Sequence, residues 1–286
     1  MSARPYRSVL YIPGSKERAL EKAKGLTCDA IIFDLEDAVA IDEKPRAREL
    51  LATTLKEGNF GNRARIVRVN ALDTEWGRDD ILAFARAIRD GAQVDAILIP
   101  KVNTTQDLDA VADLIPDVPL WAMMETAIGM FNAQSIAAHP RLAGMVMGTN
   151  DLAKELGTRF RADRLPMMAG LGLCLMAAKA YGKVIIDGVY NAFKDDDGLE
   201  VECDQGRDMG FDGKTLIHPA QLAVCNAAFA PSEAEIDLAR RQIDAFTAAE
   251  AAGQGVAVVD GKIVENLHIV TARQILAKAD AIAALT

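Results

Sequence analysis

Short apolar, β-rich runs recur along this chain, and each is followed by a longer helix-forming stretch. In order they are SVLYIP (8–13), AIIFDLE (30–36), RIVRVN (65–70), AILIPK (96–101), LWAMMET (120–126), GMVMGTN (144–150), VIIDGV (184–189) and KTLIHP (214–219). Between them lie segments such as KERALEKAKG, EKPRARELLATTLKEG and GRDDILAFARAIRDG. The runs are nearly continuous in Val, Ile, Leu and Met instead of alternating with polar residues, the pattern of strands buried on both faces. Eight such strands alternating with helices across residues 8–228 predict an α/β fold, a (β/α)8 TIM barrel. The alternative, an open doubly wound sheet, usually carries a glycine fingerprint after its first strand, and none is present here.

After Pro231 the pattern changes. Ser232 followed three residues later by Glu235 is a capping-box signature, opening an amphipathic segment that ends at Gly253 or Gly255. VAVVDGKIV then predicts a hairpin turning at Asp260-Gly261, and NLHIVTARQILAKADAIAAL a closing helix. Residues 1–231 are therefore expected to form the barrel, and residues 232–286 a C-terminal helix–hairpin–helix appendage. No internal repeat or low-complexity segment stands out.

Composition narrows what such a barrel serves. With 286 residues, 50% hydrophobic, the chain can bury roughly three-quarters of its unfolded surface and needs no covalent staples. Lys+Arg of 32 against Asp+Glu of 41 gives a net charge of −9. That argues against a nucleic-acid or general polyanion binder, which needs a dense positive footprint, and leaves room for one local basic pocket. Cys28, Cys174, Cys203 and Cys225 form no C-x-x-C pair, so zinc-ribbon and thioredoxin-type centres are not expected. Idle thiols suit a reducing compartment. No apolar run reaches the ~18 residues of a membrane span, and the start MSARPYRSVLYIPGSKER turns charged too quickly for a signal peptide. A cytoplasmic protein without membrane partners is expected.

In a β/α barrel the chemistry sits at the C-terminal ends of the strands. Those ends carry Asp34, Glu36 and Asp37; Arg68 and Asn70; Lys101; Glu125; Asn150 and Asp151; Asp187; and His218. Carboxylates dominate, and several at one mouth repel unless a cation lies among them. Carboxylate oxygens without clustered His or Cys suit a hard cation, Mg²⁺ or Mn²⁺. Glu125 and Asp151, on adjacent strands, are the expected ligands; Asp151 opening DLAKEL has the alternative of being a helix N-cap. Arg68 interrupts a buried strand and needs a partner. That partner is either a substrate carboxylate, gripped by both arms, or the DLED carboxylates.

Asn150 and His218 are further candidates for substrate contact, although a lone histidine is more often a satisfied core residue. G-x-S-x-G is absent, so a serine-nucleophile hydrolase has no support. Gly14 and Ser15 open the first helix beside Lys16, Arg18 and Lys22, a weak phosphate-binding pattern when taken alone.

With the strand ends laid out, the chain resembles the citrate lyase β-subunit/malyl-CoA lyase (HpcH/HpaI aldolase-like) family of Mg²⁺-dependent acyl-CoA enzymes. The resemblance runs from about Arg7 to Leu285 and rests on YIPGS, DLEDAV, RVN, IPK, ET-x-x-G (Glu125–Gly129), GTNDLA, DGVY and IHP. It implies Mg²⁺ held by Glu125 and Asp151, a malyl carboxylate held by Arg68, and CoA phosphates and adenine near Tyr11, Lys16 and Lys22. It implies that Asp34, Glu36 and Asp37 hold a metal-bound water, Arg68 or a base in place. It also implies a homotrimer or homohexamer in which the appendage reaches a neighbouring subunit.

One departure matters. Lyases of this family carry an Asp after the tail hairpin, in D-G-x-x-V-D, that is thought to exchange the α-carbon proton during carbon–carbon cleavage; here DGKIVE places Glu265 there. One extra methylene shifts the carboxylate by roughly an ångström, and misplacement on that scale can cost ~10²-fold. The expected activity is therefore hydrolysis of (3S)-malyl-CoA to malate and CoA, with Glu265, Glu36 or Asp37 as general base. The alternatives are cleavage of malyl-, β-methylmalyl- or citramalyl-CoA into an oxo acid and an acyl-CoA, a citrate lyase β-like subunit acting on a carrier-bound acyl group, and a metal-binding barrel without catalysis.

Overall fold

Eight parallel strands close on themselves in chain order in the computed structural model, which describes residues 4–285. They are β1 (Ser8–Pro13), β2 (Ala30–Asp34), β3 (Ala64–Arg68), β4 (Ala96–Ile99), β5 (Leu120–Met124), β6 (Leu142–Met147), β7 (Val184–Asp187) and β8 (Gly213–Leu216). Closure comes from β8 pairing with β1, Ser8 opposite Lys214 and Leu10 opposite Leu216. Helices follow the strands, so the predicted (β/α)8 barrel is what the chain forms.

Most of the sequence runs overshoot the strands at their C-terminal ends. Residues 35–36, 69–70, 100–101 and 125–126 have already left the ladder and open the βα turns. Polar groups there escape the apolar layers yet stay within reach of the mouth.

Side chains alternate between two layers, as successive strand residues must. Val9, Ile32, Ile66, Leu98, Trp121, Met123, Val146 and Ile186 fill the barrel interior. Leu10, Ile31, Phe33, Val67, Ile97, Met124, Met145 and Ile185 pack outward beneath the helices. Each fully buried aliphatic or Phe side chain in these layers contributes about 1.5–3 kcal/mol. Gly144 admits the Trp121 indole to the interior, since a Cβ there would lie 2.5 Å from the ring.

The same alternation places Asp187 on the outer side, after Ile185 and the inward Ile186. It is buried there, 2.7 Å from Arg164 Nη1 and 3.1 Å from Lys214 Nζ, and Lys214 also reaches Glu202 at 2.6 Å. A strand-end charge expected at the mouth instead neutralises two cations between barrel and helices. All four cysteines are buried and free, and no helix among the described residues is long and apolar enough to cross a membrane.

The chain divides into two compact units, one from Tyr6 to Phe229 and the other from Ala230 onward. The second begins with the helix Glu233–Ala251, whose capping box closes as its sequence predicts: Glu235 N donates to Ser232 Oγ at 3.2 Å and Ser232 N to Glu235 Oε2 at 2.7 Å. β9 (Ala257–Val259) and β10 (Lys262–Val264) form the hairpin. Its turn residues Asp260 and Gly261 have φ of 51° and 74°, the two positive values a type I′ turn requires. The helix Asn266–Ala283 follows. Phe246, Val259, Val264 and Ile269 give this unit a small core of its own.

Candidate active site

Strand alternation aims Tyr11, Asp34 and Arg68 into the barrel at its C-terminal end, and Glu125 follows β5 with the same inward parity. With Gly148, Asn150 and Asp151 they line a cavity of about 190 Å³, whose apolar wall includes Met123, Met147, Val189 and Ile217. The βα ends thus supply the cavity, as in barrels generally.

Arg68 is the electrostatic centre of one wall. Its Nε and Nη2 donate to the two oxygens of Asp34 at 2.8 and 2.7 Å. Nη1 lies 2.8 Å from Glu36 Oε2 and 3.4 Å from Asp37 Oδ2, and the guanidinium stands 5.0 Å from the Tyr11 ring centroid. Burial alone would raise the Asp34 carboxyl, but the Arg68 charge and its hydrogen bonds outweigh it and hold the group below the usual carboxylate range. Burial pushes the Tyr11 phenol up and raises Glu36, Arg68 and Lys101 only partly offsetting it. Glu36 Oε2 contacts Arg68 as an ion pair without a hydrogen bond, so this buried oxygen retains capacity to accept a donor. Of the two partners open to Arg68, the DLED carboxylates are present, and the arginine still lines the cavity.

Glu125 also lines the cavity and is 2% exposed. Burial first, then the charge of Glu36 and more weakly that of Asp151, push its carboxyl up to about 7. Its Oε1 accepts the backbone N–H of Lys101 at 2.7 Å, and the Lys101 ammonium reaches Glu36 Oε1, also at 2.7 Å. Lys101 has φ of 51°, a left-handed conformation that costs a non-glycine residue roughly 1–2 kcal/mol. Gly148 is required beside Glu125, because a Cβ there would run into the Glu125 Cβ and Oε2.

Asp151 lies in the first turn of the helix Thr149–Leu156, three residues past the capping position at Gly148. It is therefore not the N-cap. Among the described residues its carboxylate has no hydrogen-bond or ion-pair partner, and the described residues hold no cluster of three or more His, Cys, Asp or Glu arranged as a metal cage. Mg²⁺ does not need one: it is usually held by one or two carboxylates with water and substrate oxygens completing its shell. A buried carboxyl raised to about 7 beside a second, unpartnered one fits a hard cation, since a positive charge relieves both burial and repulsion.

The other candidates lie at different distances from this chemistry. Asn150 lines the cavity and exchanges hydrogen bonds with Asn191 at 3.2 and 2.8 Å, joining two βα turns. Asp37 is exposed near Arg68. Lys16 stands at the N-terminus of the helix Glu17–Ala23, paired with Glu43 at 3.3 Å, and Lys22 lies in its last turn; both are exposed and neither lines the cavity. His218 does not line it either. Its Nδ1 accepts from Ala220 N at 3.1 Å, capping a short turn, and its ring stacks on Phe193 at 4.6 Å. Glu265 caps the helix Asn266–Ala283 of the second unit, its N–H donating to His268 Nδ1 at 3.0 Å.

The sequence gives two lysines no role that the structure shows them to have. Lys101 carried no assigned role at its strand end, yet it touches the buried Glu36 and Glu125. Lys44 is buried beneath the DLED turn and donates to Leu35 O, Glu36 O and Asn70 Oδ1 at 3.0, 2.7 and 2.6 Å. Its only sequence signal is a lysine beginning a helix. Asn70, held also by Asp80, supports this turn from below and is absent from the cavity wall.

Comparison with known proteins agrees with this architecture. The chain is 73% identical over 282 residues to a (3S)-malyl-CoA thioesterase of Cereibacter sphaeroides (strain ATCC 17025 / ATH 2.4.3), covering 99% of this chain and 97% of that one. It is 34% identical to citrate lyase subunit beta of Escherichia coli (strain K12), covering 97% and 94%. Among solved structures, CitE of Mycobacterium tuberculosis in complex with magnesium, acetoacetate and coenzyme A superposes with a TM-score of 0.80 at 29% identity, covering 98% of this chain and all (100%) of that one. Residues 7–219 match the HpcH/HpaI aldolase/citrate lyase family, the family to which this chain belongs.

Proposed function

We propose that this chain hydrolyses (3S)-malyl-CoA to malate and CoA in a Mg²⁺-dependent reaction, in the cytoplasm. The near-full-length identity to a malyl-CoA thioesterase carries the reading, and the carboxylate-lined cavity supplies suitable chemistry. Glu125 and Asp151 would hold the cation. When bound, Mg²⁺ supplies Lewis acidity toward the malyl hydroxyl and carboxylate oxygens; Mn²⁺ suits the same donors.

Arg68, already anchored by Asp34, presents its remaining N–H capacity to the malyl carboxylate, so substrate meets an arginine that cannot swing away. A water attacks the thioester carbonyl, a carboxylate takes its proton, and CoA leaves as the thiol once protonated. Glu36 is supported as base by its buried, incompletely bonded Oε2. Asp37, nearer solvent, and Glu265, brought by the tail of a neighbouring subunit in a homotrimer or homohexamer, are the other two. Tyr11, Lys16 and Lys22 are assigned to CoA, Asn150 and His218 to substrate contact at the mouth.

The test is product analysis. Purified protein with malyl-CoA and Mg²⁺ is expected to yield malate and free CoA; trapped glyoxylate with acetyl-CoA would overturn hydrolysis. The second reading, carbon–carbon cleavage, is favoured by the citrate lyase relatives and opposed by Glu265 standing where lyases of the family carry Asp. Glu265→Asp is expected to gain lyase turnover, and an unchanged product pattern would remove the role of the extra methylene. Activity on free CoA thioesters dismisses a carrier-bound subunit role, and loss of activity in Glu125→Gln dismisses a barrel without catalysis.

A further inference from the structure

We infer that Lys101 is a positioning residue that sets two buried carboxylates at the barrel mouth, holding Glu125 of the cavity wall through its backbone and Glu36, behind that wall, through its side chain. The inference rests on the proposed role of Glu125 as a cation ligand. Lys101 directly follows Pro100, at the end of β4, and turns into the left-handed region with φ of 51°. That turn aims its N–H at Glu125 Oε1, 2.7 Å away. Bonding one oxygen stops the carboxylate rotating and leaves Oε2 as its open oxygen, on the side where Gly148 clears space.

The ammonium of the same residue reaches 2.7 Å to Glu36 Oε1. It offsets the charge of this carboxylate, which acts on Glu125, and completes a chain from Glu125 through Lys101 and Glu36 to Arg68. Strained backbone persists only where surrounding structure over-determines it, and it gathers at functional sites. Here the strain has an identifiable product, the direction of one N–H. The Lys101 side chain is 46% exposed, so burial of the lysine does not account for the conformation.

The two halves of the role separate by substitution. Lys101→Met removes the ammonium, and Lys101→Gly does so while admitting positive φ without strain. Lys101→Val keeps an N–H, but a β-branched residue resists this conformation, so the N–H turns off Glu125. Each variant is titrated with Mg²⁺ alone by calorimetry, assayed for kcat and KM with malyl-CoA, and checked for folding by circular dichroism. Lys101→Met and Lys101→Gly are expected to lower kcat at least tenfold with KM within threefold, and to bind Mg²⁺ no more weakly than wild type, because a competing cation is gone. Lys101→Val is expected to bind Mg²⁺ at least tenfold more weakly, and Lys101→Arg to restore most of kcat.

Wild-type kcat in Lys101→Met, or Mg²⁺ binding lost equally in all three variants, would overturn the inference. If Lys101→Val does not fold, Lys101→Thr, β-branched but polar at this half-exposed position, takes its place for the N–H, and the Met and Gly pair decides the ammonium half. Glu125→Gln in the same titration reports on the ligand assignment alone. Unchanged Mg²⁺ binding there sinks the reading of Glu125, whereas weakened binding there with a wild-type Lys101→Val sinks only the positioning role.

Discussion

Arg68 and Asp34 meet as a bidentate pair at the ends of neighbouring strands, Nε 2.8 Å from Oδ1 and Nη2 2.7 Å from Oδ2. Both are buried, with side-chain exposures of 8% and 1%. Replacing such a pair by apolar residues can be neutral, but removing one partner strands a buried charge at about 3–5 kcal/mol. Asp34→Asn is expected to lose stability on that scale in urea denaturation at pH 7. Because the folded-state carboxyl of Asp34 is depressed, its contribution is present above its unfolded value of about 4 and is lost as pH falls through the folded value. The difference between wild type and Asp34→Asn therefore narrows in acid.

Glu125 has the opposite sign. Its carboxyl is raised from 4.5 to about 7 in the folded protein, so between those values the folded state holds a proton that the unfolded chain has released. Its contribution is fully present below about 4.5 and lost as pH rises through about 7. Without divalent cation, wild type should lose a few kcal/mol relative to Glu125→Gln over this window, on the order of 1.4 kcal/mol per pH unit. Saturating Mg²⁺ should stabilise wild type above pH 7, by about 2.7 kcal/mol at a hundredfold excess over Kd, and leave Glu125→Gln unmoved. Thermal melts across pH, with and without Mg²⁺, measure both.

Gly148→Ala tests the space around the same carboxylate. The new methyl would collide with the Glu125 Cβ and Oε2, so the side chain must move by a sizeable fraction of an ångström. Misplacement on that scale can cost about 10²-fold in rate, and overpacking adds about 1–3 kcal/mol of destabilisation. The expected outcome is a folded protein with kcat/KM reduced about a hundredfold; an active Gly148→Ala would show that Glu125 tolerates a second orientation.

Asp187 provides the contrast. It neutralises Arg164 and Lys214 in the layer between barrel and helices, away from the cavity wall. Asp187→Ala removes the carboxylate that Arg164 and Lys214 share, leaving Arg164 without its close ion pair and Lys214 with Glu202 alone, and is expected to cost about 3 kcal/mol of stability, the low end for breaking a buried pair. Its kcat, corrected for the folded fraction at low temperature, should stay within about twofold of wild type, since no reacting group loses a contact. Denaturation curves and initial rates from one preparation give both values.

Continuous apolar runs at helix-spaced intervals have few ways to bury both faces, and a parallel barrel is one of them. The strand order, the inward aim of Arg68 and Glu125 and the capping box at Ser232 were therefore legible in the chain alone, as was the family. Local chemistry with a single geometric solution, such as the positive φ pair at Asp260 and Gly261, was legible for the same reason. Strand-end position was less informative about individual charges. Asp187 and Arg68 follow equally apolar runs, but one extra residue of alternation sends the first outward and the second inward.

What the tertiary structure decided is which charges meet. Arg68 had two candidate partners in sequence, and only packing β2 beside β3 brings Asp34 within reach of both its arms. Lys44 has no motif that marks it, and the IPK motif marks Lys101 without revealing its role, because both roles depend on carbonyls and carboxylates supplied by other strands. A sequence determines period and parity, which are local properties of the backbone. The partner of a buried charge is set by three-dimensional closure, which joins residues tens of positions apart, and with it come the pKa of Glu125 and the direction of the Lys101 N–H.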